Sequence, residues 1–109
     1  TVESPRFTFH QGDKPPFYIR AERGKVDGDG KTAYLLGEVQ LDREAFGQQD
    51  SIHAVTRDLT LWPEEQRAHT DEKAIAKGQR YSAEGVGMTI DLVAGTLELH
   101  SKARGTYVP

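Results

Sequence analysis

Imidazole ligates metals and moves protons near neutral pH, so the four histidines, His10, His53, His69 and His100, are the first residues to weigh for chemistry. They fall in separate segments. No H-x-x-x-H or similar ligand spacing joins them, which leaves zinc chemistry without a framework. His69 and Asp71 are two apart, as are Glu98, His100 and Lys102, a spacing that puts side chains on one face of a strand. Those faces read as solvent-side. Asp27-Gly28-Asp29-Gly30 looks like the opening of a calcium loop, but the intervening ligands and the closing Glu are missing, so a turn is expected. Gly85-Val86-Gly87 sits in an alternating segment with no helix behind it, which suits a bulge or close packing and not a dinucleotide. Ser4, Ser51, Ser82 and Ser101 lie in no G-x-S-x-G elbow. The chain therefore reads as non-enzymatic, with no catalytic residue, no cofactor and no metal.

Composition narrows the remaining classes. A chain of 109 residues makes one domain, spanning 1–109, with a modest core. Hydrophobic residues at 36% with 11 glycines suit an all-β chain with many turns. The absence of cysteine removes disulfides and leaves the compartment open. No stretch has the pattern of a signal peptide, and no apolar run reaches the roughly 18 residues needed to span a membrane. A net charge of −3 without a basic stripe argues against nucleic acid.

The elements that must position these residues are strands. Val86, Met88, Ile90 and Leu92 alternate with polar or small residues. Past Gly95, Leu97, Leu99, Ser101, Ala103, Gly105 and Tyr107 do the same on odd positions. This period of two predicts a long hairpin with one apolar face. The change of parity requires paired numbers to sum to an odd value, as with Ile90 opposite Leu99, and a four-residue loop, 93–96, is favoured. Earlier, Phe7 and Phe9 form a short strand, and Gln11 to Pro16 breaks the chain, Pro15-Pro16 opposing helix and central-strand pairing. Phe17, Ile19 and Ala21 share a face, as do Ala33, Leu35, Gly37, Val39 and Leu41. Glu44 to Asp50 is a loop, and Val55, Leu59 and Leu61 are expected on one face of the next strand. Ala68, Thr70, Ala74 and Ala76 mark another, and Gly78 turns into the final hairpin. A helix over 63–78 is rejected because Ala68, Ala74 and Ala76 are too small for an apolar stripe. A faint repeat of roughly 30 residues, KTAYLLGEVQL, QRAHTDEKAIA and GTLELHSKARG, predicts stacked strand pairs in two facing sheets, a sandwich or jelly roll.

Three stretches carry a family resemblance: PPFYIRAERGKVDGDGKTAYLLGEVQLDRE, DLTLWPEEQRAHTDEKAIAKG, and the ending GVGM…GTL…RGTYVP. In order and spacing they are similar to the LptC family, the inner-membrane-anchored part of the lipopolysaccharide export machinery. The resemblance implies an OstA-like β-jellyroll, an open sandwich of antiparallel strands in the periplasm. It also implies that a transmembrane anchor and the first strands of that domain precede TVESPRFTF, making this chain a partial periplasmic domain. Function would be to bind lipopolysaccharide and pass it from the LptB2FG transporter to LptA, with ATP hydrolysed by the transporter.

A lipid groove is expected along Leu35, Val39, Leu59, Leu61 and Met88, and on through Ile90, Leu97, Leu99 and Tyr107. Each CH₂ of an acyl chain buried there gains about 0.8 kcal/mol. Taken one at a time, these residues suit a plain core better than a groove. Partner contacts fall on Gly78, which matches a family glycine tied to transporter association, and on Ala103, Gly105 and Tyr107, the edge where LptA would dock. Two alternatives stand beside this: the sibling LptA, and a β-sandwich interaction or carbohydrate-binding module. The ending RGTYVP, without a basic tail, favours LptC over its sibling. Trp62, Tyr81 and Tyr34 are too scattered for the planar aromatic row such a module displays.

Overall fold

The structure, a computed structural model, describes residues 2–107, apart from the side chain of Gln11. Every described element is a strand: β1 Val2–Glu3, β2 Arg6–Gln11, β3 Lys14–Val26, β4 Ala33–Arg43, β5 Ile52–Trp62, β6 Arg67–Lys77, β7 Tyr81–Asp91 and β8 Thr96–Tyr107. All pair antiparallel in one sheet of order β1-β3-β4-β5-β6-β7-β8, with β2 also paired to β3. The sheet is open, and β8 is the strand at one edge.

Turn chemistry explains the connections. Asp27 and Gly30 close the β3–β4 turn through a 2.9 Å backbone hydrogen bond, with Gly30 at φ 72°. Asp91 Oδ1 accepts from the amides of Val93 and Ala94, each at 3.0 Å, and Gly95 at φ 75° ends the β7–β8 loop. That loop is four residues long, as parity demands, but it runs from Leu92 to Gly95. The register therefore differs by two from the expected one: Ile90 faces Leu97, and Met88 faces Leu99. Pro15 and Pro16 lie inside β3 and not in a break. They are tolerated because β3 pairs with β4 only from Tyr18 onward, and because β2 is irregular opposite them, between Phe9 and Gln11.

The two expected sheets are halves of this one sheet, which is creased across its middle. Each neighbouring pair from β3 to β8 loses register near mid-strand, at Ala21/Arg23, Leu35/Glu38, Val55/Thr60, Thr70/Lys73 and Glu84/Val86. Gly37, Asp58, Gly87 and Lys102 take positive φ at or beside these breaks, which bends the strands as bulges do. The extra residue also flips parity. Along β5 the buried set is Ile52, Ala54 and Thr56 before Asp58, then Leu59 and Leu61 after it, so Val55 leaves the core face. Along β7 the same flip at Gly87 puts Val86 outside, 40% exposed, while Gly85 turns inward.

A break in register orphans backbone groups, and buried orphans are costly. Side chains satisfy them here. The Glu22 carboxylate accepts from the Glu38 amide at 2.9 Å, and Asp58 from the Gly37 amide at 3.0 Å. Thr56 donates to the Lys73 carbonyl at 2.9 Å, and Thr70 to the Arg57 carbonyl at 2.8 Å.

With no helix among the described residues to cover it, the inner face is buried by folding back on itself. Phe17, Ile19, Val39, Leu41 and Ala76 from one half meet Leu35, Leu61, Met88, Ile90 and Leu92 from the other in a single buried cluster. Arg43, only 5% exposed, joins the free ends of the two halves. Its guanidinium donates to the Asp50 carbonyl at 2.9 Å and, across the layers, to the Gly95 carbonyl at 3.4 Å. It stacks over Phe17 and Phe46 at 5.4 and 5.1 Å. Burial lowers its pKa.

Candidate functional site

Folding the sheet buries an apolar seam along the crease, running from the β1/β2 edge to the β8 edge, and this closed seam is the trough referred to below. Leu35, Val39, Leu59, Leu61, Met88 and Ile90 line it and are each 1% exposed or less. They are packed against one another, so the trough is closed in this form. Leu97 and Leu99 are half-buried at its β8 end. Tyr107 is not part of this cluster. It pairs with Tyr81 beyond the cover of the other layer and is 68% exposed.

β8 carries the open edge. It pairs with β7 on one side, and no described strand covers the other. From Ser101 to Tyr107 every residue is exposed, Ala103 and Gly105 included. Gly105 allows close approach to β7, since a Cβ there would sit 3.0 Å from the Ser82 carbonyl oxygen.

Gly78 lies at the end of the sandwich where Tyr107 emerges. Its φ is not in the left-handed range. What it provides is space. A Cβ would stand 2.2 Å from the Tyr81 ring and 2.6 Å from the Ser51 carbonyl oxygen, and the Tyr81 hydroxyl donates to that same carbonyl at 3.1 Å. Asp50 fixes the turn that follows, its carboxylate accepting from the amides of Gln79 and Arg80, both at 2.9 Å. The Gln79 amide, ahead of those of Arg80 and Ser51, holds the Asp50 carboxyl below the usual carboxylate range, against some desolvation. Sequence reasoning missed Asp50, which had no signal beyond belonging to a polar loop.

The histidines are less scattered than their spacing implies. The His69 and His100 rings approach to 5.7 Å on the outer face, and the Thr89 hydroxyl lies between them at 3.0 and 2.7 Å. His53 pairs with Asp42. Among the described residues, no three His, Asp or Glu side chains converge as metal ligands.

An all-β creased sheet with an apolar trough fits several binding proteins, and the sequence decides among them. Over residues 1–108 it matches the family described as lipopolysaccharide-assembly, LptC-related. The chain belongs to that family. Its membership makes this LptC-related chain a component of lipopolysaccharide transport and disfavours the sibling LptA and the free-standing carbohydrate-binding module. No curated protein sequence matches it. Among solved structures it resembles LptH of Pseudomonas aeruginosa, described as the LptA homologous periplasmic component of the conserved lipopolysaccharide transport device. The TM-score is 0.67 at 12% identity, over 92% of this chain and 82% of that one. At that identity the likeness carries the fold, a β-jellyroll, and no more. In this LptC-related jellyroll the expected residues thus divide into three places: the closed trough, the open β8 edge and the packed corner at Gly78.

Proposed function

We propose that this chain is a periplasmic, non-catalytic relay that takes lipopolysaccharide acyl chains into the trough and passes them to LptA docked along β8. The observation that carries the reading is the trough ending on an unpaired strand edge. A second jellyroll adding a strand there would satisfy the free N–H and C=O groups and continue the apolar interior across the junction. Ala103 and Gly105 would let the incoming backbone approach, with Tyr107 at the end of the shared edge. The β1/β2 edge is the matching place for material arriving from the LptB2FG transporter, with inner-membrane anchoring through a preceding segment. Because the trough is closed here, loading must part the two layers.

The experiment places a photo-crosslinking residue at Tyr107 or at Glu38, which is exposed on the outer face. Capture of LptA from Tyr107 alone is expected. Equal capture at both positions, or at neither, would remove β8 as the docking edge.

A further inference from the structure

A glycolipid whose acyl chains lie in the trough must place its sugars somewhere polar nearby. A cleft of about 560 Å³ opens at the end of the sandwich beside Tyr81. Tyr81 joins the two environments: its ring packs on the apolar core from one side and lines this cleft from the other. Around it stand Gln48 and Gln49 from the β4–β5 loop, Gln79 and Arg80 from the β6–β7 turn, and Tyr107 from β8.

Both walls are held by backbone contacts that leave these side chains unspent. Phe46 and Gln49 exchange backbone hydrogen bonds of 3.1 and 2.8 Å. Asp50 grips the Gln79 and Arg80 amides, so its oxygens are already engaged. No fold contact holds the side-chain amides of Gln48, Gln49 and Gln79, the Arg80 guanidinium or the Tyr107 ring among the described residues. Three neutral amides each offer a donor and an acceptor, as sugar hydroxyls require. Tyr107 offers a flat apolar face with a hydroxyl at its tip. One cation among three amides is too little charge for a polyanion site, and the volume lies within the range of ligand pockets.

We infer that this cleft binds the oligosaccharide portion of the glycolipid cargo, sugar hydroxyls meeting the glutamine amides and a sugar ring lying on Tyr107. The inference rests on the proposed lipid reading for the identity of the cargo, but not for the chemistry of the site.

The test is an NMR titration of ¹⁵N-labelled protein with lipid-free core oligosaccharide released from lipopolysaccharide, beside inorganic phosphate and intact lipopolysaccharide. Saturable shifts are expected at the amides of Gln48, Gln49, Arg80 and Tyr107 with oligosaccharide. In the Gln79→Ala/Arg80→Ala variant, which keeps both backbone amides on Asp50, affinity should fall about tenfold or more, the equivalent of one or two lost hydrogen bonds. No saturable shift, shifts elsewhere, unchanged affinity in the variant, or the same shifts with phosphate alone would each overturn the site. If oligosaccharide binds while intact lipopolysaccharide leaves the trough residues unperturbed, the sugar site stands and the relay reading fails. If the trough responds and the cleft does not, the reverse holds.

Discussion

At the scale of single residues, close packing decides more than conformational preference. Gly78 was legible as a turn glycine, but the reason it must be glycine is the Tyr81 ring lying against it, and no local sequence signal reports that contact. Gly78→Ala forces the ring off the Ser51 carbonyl and should cost about 1–3 kcal/mol, the usual penalty of overpacking, read from urea unfolding. Its effect on association with partners is then interpretable only beside that loss. Asp50 gives a pH signature. Its folded pKa is depressed, so its contribution to stability is present above the unfolded value of about 3.9 and is lost as pH falls through the folded one. Glu84, lowered chiefly by its hydrogen bond from Arg104 and then by the charges of Arg104 and Lys73, adds in the same direction. The midpoint of thermal unfolding should therefore drop below about pH 4, and drop less steeply in Asp50→Asn. Equal slopes for the two proteins would show that Asp50 does not supply the dependence.

At the scale of strands, alternation revealed what was inside and turn residues revealed where the chain reversed, because both are local. Leu35, Val39, Leu41, Ala68, Thr70, Ala74 and Ala76 all face the core as their spacing implies. The crease was legible at one strand only: Gly85-Val86-Gly87 suited a bulge, and the β7–β8 register breaks there with Gly87 at φ 87°. A bulge needs only one residue at positive φ, and a single aspartate or lysine in a strand, as at Asp58 and Lys102, is too ordinary to mark one. Val55, Val86 and the pairing partner of Ile90 were misplaced for that reason and for the loop that starts one residue early. Thr70 tests the crease directly. It is buried, donates to the Arg57 carbonyl and accepts from the Glu72 amide at 3.1 Å. Thr70→Val keeps the shape and orphans both groups, and should lower stability by about 1–3 kcal/mol in chemical denaturation. A loss no larger than that of an outer-face Thr60→Val control would mean the register break does not depend on the side chain.

At the scale of the whole molecule, the two layers meet along a mouth that Arg43 spans. Arg43→Ala removes the bond to Gly95 and the stacking on Phe17 and Phe46, and should destabilise the fold by about 2 kcal/mol while raising uptake of a fluorescent acyl probe. Stability lost without any gain in uptake would mean that the layers do not part there. Fold class and family were legible across nearly the full length because many weak strand and turn signals agree in order. The residues of the apolar interior were legible too, but not that one sheet doubles over to enclose them, since that depends on where it creases. One more property follows from the edges at the two ends of the trough. The β8 edge is one run of 12 residues, whereas the opposite edge is made by two short strands of 2 and 6 residues meeting at Ser4. A contact that joins the β8 edge of one fold to the β1/β2 edge of the next uses two different patches, so it is heterologous, and any open row built from it has a polarity. A row of these folds would have a beginning and an end, with direction written into its geometry before any energy source acts on the cargo.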